Sequence, residues 1–354
     1  MTRWTTDDVA RMRLLSQRLV EPLATPGDVV RHLTCVQGQD YPGSTTSIAL
    51  RTRSRRLAEV REAYDAGEIV RSWPMRGTLF VVPAEDLRWM LGLTSTKILR
   101  ETTRRREQLG LDEAALGRAE DVARSALAGG GLTRAALLDA WERVGHPGDG
   151  GRGYHSLFHL ALRGIICQGP TEGREQRFVL TEEWISSSRT PDPDDAVREW
   201  FVRYVRGHGP VPAADFLWWT KLLRRDLGPV LGAAREELEV LDVDGVEHWV
   251  DPAVVERYAG ARRATAAPLL LPGFDELMLG YGDRRAVVTR EEEAAVVPGG
   301  NGVFRPTVVR AGRAVGTWRR PTRAGAPVTV EAFGTALPGP VERALPRLTR
   351  ELPA

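Results

Sequence analysis

Apolar positions recur at helical spacing through the first sixty residues. Val9, Met12, Leu15 and Leu19 follow an N-cap signal at Thr5-Thr6-Asp7-Asp8 and predict a helix over residues 5–21. Pro26-Gly27-Asp28 opens a second helix that carries Val29, Val30, Leu33 and Val36. Pro42-Gly43 reads as a break, residues 44–50 as a third helix and residues 57–66 as a fourth. The pattern then turns to β-rich runs at 69–72 and 78–82, which enclose Trp73-Pro74-Met75-Arg76-Gly77. Helices followed by a short hairpin are the order of a winged helix-turn-helix unit.

Residues 85–128 read as helices at 86–93, 95–109 and 113–128. After Gly129-Gly130-Gly131 the winged order returns: Thr133 caps a helix through Val144, residues 154–163 form another, and strands at 165–168 and 176–180 flank a loop. A Ser/Pro/Asp linker over 186–195 marks a boundary. The plan appears a third time, with helices at 196–206 and 212–220 separated by Gly207-His208-Gly209-Pro210. Residues 222–237 are largely helical, and strands at 238–243 and 247–250 meet across Asp244-Gly245. From Pro268 the chain is β-rich, with runs at 269–271, 286–289 and 328–333. Residues 307–310 pair with 314–318 across Ala311-Gly312-Arg313, and a helix at 338–352 closes the chain. The expected fold is therefore α+β, three tandem winged helix-turn-helix units with a C-terminal β-rich segment. The expected divisions are 1–128 (first unit plus a helical extension), 129–190, 191–262 and 263–354.

Composition changes this picture little. At 354 residues, with 42% apolar and 27% charged positions, the chain suits a soluble protein of two to four units. No apolar run approaches the roughly 18 residues of a membrane span, and the first eight residues lack the features of a secretory signal. Cys35 and Cys167 supply neither a disulfide framework nor a zinc cluster, so a reducing cytoplasm with two buried thiols is expected. Net charge is only +2. Lys97 and Lys221 are the only lysines among 49 basic residues, so the rest are arginine. Residues 303–330 carry Arg305, Arg310, Arg313, Arg319, Arg320 and Arg323. No acidic residue lies among them. Such a strip fits either a confined contact with phosphates or a solvated hairpin.

Most candidate chemistry has a plain structural alternative. His155 and His159, four apart on one helix, have metal-ligand spacing but no glutamate between them and no evident third ligand. Gly148-Asp149-Gly150-Gly151-Arg152-Gly153 has no strand before it and no Lys-Ser/Thr after it, so it reads as a connection rather than a phosphate loop. Asp275-Glu276 suits acid–base work, or capping and a turn. Trp218-Trp219 suits core packing. The remaining candidate is Gln37-Gly38-Gln39, two of six glutamines in the chain, at the expected end of the second helix. Two uncharged amides here either cap the helix or hold a water, a base edge or a sugar.

Several stretches in order, spread over nearly the whole chain, carry a family resemblance. They are Gln37-Gly38-Gln39, Arg76-Gly77-Thr78-Leu79, Gly209-Pro210 with Asp215-Phe216-Leu217-Trp218-Trp219, Leu271-Pro272-Gly273-Phe274-Asp275-Glu276-Leu277-Met278-Leu279-Gly280-Tyr281, and Gly316-Thr317-Trp318-Arg319. The set resembles the bacterial winged-helix DNA glycosylases of the AlkZ type. Relatives in the wider family carry Gln-x-Asp, whereas this chain has Gln39 at the last position, which leaves no general base there.

The resemblance implies a monofunctional DNA glycosylase that excises bulky guanines alkylated at N7 and unhooks interstrand cross-links, as in azinomycin-type self-resistance. It implies Gln37 and Gln39 as catalytic residues, with no cofactor and no metal. The expected partner is double-stranded alkylated or cross-linked DNA, met by a monomer without membrane contact and reached in part through Arg310, Arg313 and Arg319. Two other readings stay open: a winged-helix regulator that binds DNA without cutting it, and a protein that sequesters the drug.

Overall fold

Helix Thr6–Ser16 starts where a capping box closes: the Asp8 amide donates to Thr5 Oγ1 at 3.2 Å and the Thr5 amide donates to Asp8 Oδ2 at 3.1 Å. Helix Pro26–Leu33 starts at Thr25, which accepts from the Asp28 amide, with Pro26 in the first turn where its missing N–H costs nothing. The computed structural model describes residues 3–173, 175–320 and 326–354. Arg323 of the basic strip, like Met1, Thr2 and Arg174, lies outside the described residues. The chain forms two compact units, Met1–Val60 with Asp194–Ala354, and Arg61–Pro193.

In the first unit, Val9, Met12 and Leu15 pack with Leu241, Val250 and Tyr258, so helix Thr6–Ser16 lies against the hairpin Glu239–Val243/Val246–Val250 and helix Pro252–Ala261. The other edge of the same helix sends Leu14 into a cluster with Leu271, Leu277, Val287 and Val309. A four-stranded antiparallel sheet runs in the order Thr329–Ala332, Arg313–Arg319, Thr307–Arg310, Pro268–Leu271. Its other face buries Leu270, Val308 and Trp318 under Val341 and Leu348 of the closing helix Gly339–Arg350.

In the second unit, the hairpins Ile69–Met75/Thr78–Pro83 and Ile166–Glu172/Glu175–Leu180 are neighbours in one sheet, with Arg71 opposite Gln168, and Leu132–Thr133 adds to its far edge. The helices of this unit include Leu87–Glu101, Glu113–Leu127, Arg134–Glu142 and Arg152–Leu162. The architecture is mixed helix and sheet, and both cysteines are buried, with burial pushing the Cys167 thiol up to about 12. No helix among the described residues is long and apolar enough to cross a membrane.

Several local expectations change, among them the break expected at Thr94, through which helix Leu87–Glu101 runs unbroken. Pro42-Gly43 does not break the chain, because helix Tyr41–Leu50 begins before it and takes Pro42 in its first turn. The helix from Pro26 stops at Leu33, so Val36 and Gln37 are extended instead of helical. Residues 286–289 are not a strand. The Arg284 carbonyl accepts from both the Val287 amide (2.8 Å) and the Val288 amide (2.9 Å), which turns the chain, and Thr289 then caps helix Arg290–Val296. Apolarity alone gave Val287 and Val288 the look of a strand; both are core residues on a turn.

Candidate active site around the glutamine pair

The segment carrying the two glutamines is separated from its helix by a strained turn. Thr34 has φ 64° and ψ −48°, and the Cys35 amide donates to the Leu33 carbonyl at 2.8 Å, which is a γ-turn of the uncommon sign. A β-branched residue in that conformation stores on the order of 1–3 kcal/mol. Thr34 is fully buried. Close packing around it includes Gly207, where a methyl group would lie 2.9 Å from the His32 carbonyl oxygen and 3.2 Å from Leu33 Cα. The turn delivers Gln37 on an extended segment, with Gln39 on the bend that follows it, beyond the end of the helix at Leu33.

Gln37 is buried and Gln39 is exposed. Gln37 Nε2 donates to Gln39 Oε1 at 3.3 Å, and Gln37 Oε1 accepts from the Gly38 amide at 3.0 Å. The inner amide is thereby oriented by its own main chain and in turn orients the outer one. Helix Tyr41–Leu50 follows at once. Its Gly43 sits so close to Asp40 that a methyl there would overlap the Asp40 carboxylate, and it would stand 2.9 Å from the Gly273 carbonyl oxygen.

Asp275 and Glu276, adjacent in sequence, do different work. Asp275 caps the helix Glu276–Leu279 through the Leu277 amide and is gripped by Arg51 and by the Ser47 hydroxyl at 2.7 Å. Burial pushes its carboxyl up, but the Arg51 charge and these hydrogen bonds outweigh burial and hold it below the usual carboxylate range. This is a structural carboxylate. Glu276 is equally buried, yet its Oε2 accepts the Gln37 amide at 3.0 Å. Its Oε1 accepts from Trp219 Nε1 at 2.9 Å and lies 3.2 Å from His208 Nε2.

A second chain of contacts holds the same segment. Arg51 reaches Gln17 Oε1 at 2.6 Å, Gln17 Nε2 donates to the Tyr281 hydroxyl at 2.8 Å, and that hydroxyl donates to the His208 carbonyl at 3.0 Å. His208 and Trp219 were missed as site residues from sequence. Their only signal was position, beside Gly209-Pro210 and within Trp218-Trp219.

The arginines expected to meet DNA are differently placed. Arg310 and Arg313 face each other across the hairpin turn. The tip itself is packed inward: a methyl at Gly312 would overlap the Ala10 main chain of helix Thr6–Ser16. Arg313 lies 3.6 Å from Asp7, and Arg310 Nε is buried without a hydrogen-bond partner among the described residues. Arg319, at the other end of its strand, is exposed, as is Arg320.

His155 and His159 belong to the second unit. Burial and the charges of Arg105 and Arg106 lower His155. Burial with Arg106 and Arg163 lowers His159 to about 4. A cation there would face arginines, which disfavours a metal at this spacing.

A family model described as DNA glycosylase AlkZ-like matches residues 30–352. An interstrand DNA cross-link repair glycosylase of Streptomyces sahachiroi is 27% identical over 328 residues, which is 86% of this chain and 85% of that protein. The structure of Streptomyces sahachiroi DNA glycosylase AlkZ shares the fold with a TM-score of 0.80 at 24% identity, over 98% of this chain and 97% of that one.

Proposed function

The chain belongs to the AlkZ-like DNA glycosylase family, and we propose that it hydrolyses the N-glycosidic bond of bulky N7-alkylguanines and unhooks interstrand cross-links in duplex DNA. Alkylation at N7 places a positive charge on the purine, so the base leaves as a neutral molecule without being given a proton. The C1′–N9 bond breaks with its electron pair going to the purine, water adds to C1′, and one proton passes to solvent. Protein is needed to place that water and to stabilise the oxocarbenium-like sugar with fixed dipoles. An uncharged amide can do both.

The observation that carries this reading is the oriented amide pair, Gln37 buried and donating to the exposed Gln39 at 3.3 Å. Gln39 is the member open to sugar and water, and Gln37 sets its direction. We read the repeated helix-and-hairpin elements as three winged-helix units with the C-terminal β-rich segment, divided at residues 128, 190 and 262. A cross-linked base stays tied to the opposite strand, so such a site has to be an open cleft rather than a closed base-flipping pocket. Phosphate contact falls chiefly on Arg319, with Arg310 and Arg313 bracing the hairpin that carries it. The relatives' cross-link chemistry fits self-resistance to an azinomycin-type alkylator, in a cytoplasmic, monomeric enzyme.

The test is incubation with duplex containing a single N7-alkylguanine. Released base and an abasic site are expected from the native chain and not from Gln37→Ala with Gln39→Ala. Duplex binding without base release by the native chain would point to a regulator, and protection of unreacted drug to sequestration.

A further inference from the structure

We infer that Glu276 is the positioning residue of the glutamine pair, fixing the main chain at Gln37 through its carboxylate. The inference rests on the catalytic reading of Gln37 and Gln39. The strained turn at Thr34 takes Gln37 off its helix, and its buried N–H finds its acceptor 239 residues away, at Glu276 Oε2. A buried donor left without an acceptor is destabilising, and a carboxylate acceptor gives a stronger bond than a neutral one.

The carboxylate is held from its other side as firmly. Trp219 donates to Oε1 at 2.9 Å, and His208 Nε2 lies 3.2 Å from the same oxygen. His208 Nδ1 faces the Tyr204 carbonyl at 3.1 Å. A carbonyl only accepts, so Nδ1 is the donor in that contact, and Nε2 is the ring nitrogen turned to Glu276 Oε1. The Tyr204 ring stacks on the imidazole at 4.5 Å, and its hydroxyl donates to the Gly280 carbonyl at 2.7 Å, which ties helix Pro193–His208 back to the segment that bears Glu276. Gly280 is required there, because a methyl would lie 2.6 Å from His208 Cδ2. Each element of the cradle is therefore buried, directional and fitted to a carboxylate.

An amide at this position cannot serve all its partners. With its oxygen toward Gln37, its NH₂ meets the indole N–H of Trp219, donor against donor. Reversed, it meets the Gln37 N–H. Removing the indole donor resolves the conflict, because the NH₂ can then donate to a neutral His208 Nε2.

Single-turnover excision of an N7-alkylguanine duplex therefore separates the outcomes. Glu276→Gln is expected to slow excision roughly 10- to 100-fold, the scale of a misplaced group, while DNA affinity stays within about twofold. Adding Trp219→Phe to that variant is expected to restore most of the rate. A folded Glu276→Gln protein excising at the native rate overturns the inference, as does a folded double variant as slow as the single one. Should Glu276→Gln not fold, amide exchange in the native protein decides: strong protection at Gln37 supports the inference, and exchange at the rate of an unprotected amide overturns it. Gln37→Ala with Gln39→Ala is run alongside. Full excision by that variant refutes the catalytic reading itself, whereas an inactive pair variant beside a fully active Glu276→Gln refutes the positioning role alone.

Discussion

Arg51 and Asp275 meet edge on, with Nη1 2.8 Å from Oδ2 and Nη2 2.9 Å from Oδ1, and neither side chain is exposed. A bidentate pair of this kind is directional, so it fixes the start of the helix that presents Glu276. Breaking one side of a buried pair leaves a charge without compensation and costs about 3–5 kcal/mol. Arg51→Met is therefore expected to lower unfolding stability by about that amount in urea titrations. Removing both charges, Arg51→Met with Asp275→Leu, is expected to cost less than the single change. If the double variant is no more stable than the single one, the ion pair is not what holds this junction.

Gly43 has a sharper steric argument. Alanine favours a helix over glycine by at most about 1 kcal/mol. A methyl here overlaps the Asp40 carboxylate and approaches the Gly273 carbonyl oxygen to 2.9 Å, and a main-chain oxygen cannot swing aside. Overpacking of this kind costs about 1–3 kcal/mol and outweighs the propensity gain. Gly43→Ala should thus have a lower melting temperature and slower excision; a variant more stable than the native chain would show that the segment yields easily.

His32 couples stability to pH. Burial lowers it to about 4, aided by the charges of Arg18, His208 and Arg257 and opposed by its hydrogen bond to the Ser16 carbonyl at 2.6 Å. The unfolded chain binds a proton near the ordinary histidine value of about 6.5, while the folded chain refuses it until about 4. Unfolding then takes up a proton between these values, so stability is full above about 6.5 and falls as pH drops toward about 4. His32→Gln should keep a donor for Ser16 and flatten part of that slope, with His159 supplying much of the remainder. Urea midpoints at several pH values between neutrality and about 4.5 test this; an unchanged slope in the variant would assign the proton uptake elsewhere.

Salt dependence distinguishes the arginines of the basic strip. Each phosphate neutralised contributes about 0.9 to the slope of log affinity against log salt. Arg319 is exposed, whereas Arg313 already faces Asp7 at 3.6 Å. Arg319→Ala should reduce the slope by about 1, and Arg313→Ala by well under half of that. Fluorescence anisotropy with a labelled duplex over a salt series measures both, and equal effects would move the contact to the hairpin turn.

Much of the local structure was legible in the residues because its causes are local. Hairpins such as Glu239–Val243/Val246–Val250 follow from alternation around a turn that tolerates positive φ at Asp244 and Gly245, and helices such as Pro26–Leu33 follow from a cap and a periodic face. The pattern misled where apolarity had another use, as at Val287 and Val288, which are apolar because a turn faces the core. The glutamine pair could be nominated from sequence through its setting among ordered motifs. Its geometry could not: that Gln37 rests on Glu276, that His208 and Trp219 brace the carboxylate, and that the hairpin tip packs on Ala10 depend on contacts between residues far apart in the chain. Periodicity and turn chemistry act within a few residues and write themselves into the sequence. Which buried donor meets which acceptor is settled only when water is excluded, and that is a property of the packed whole.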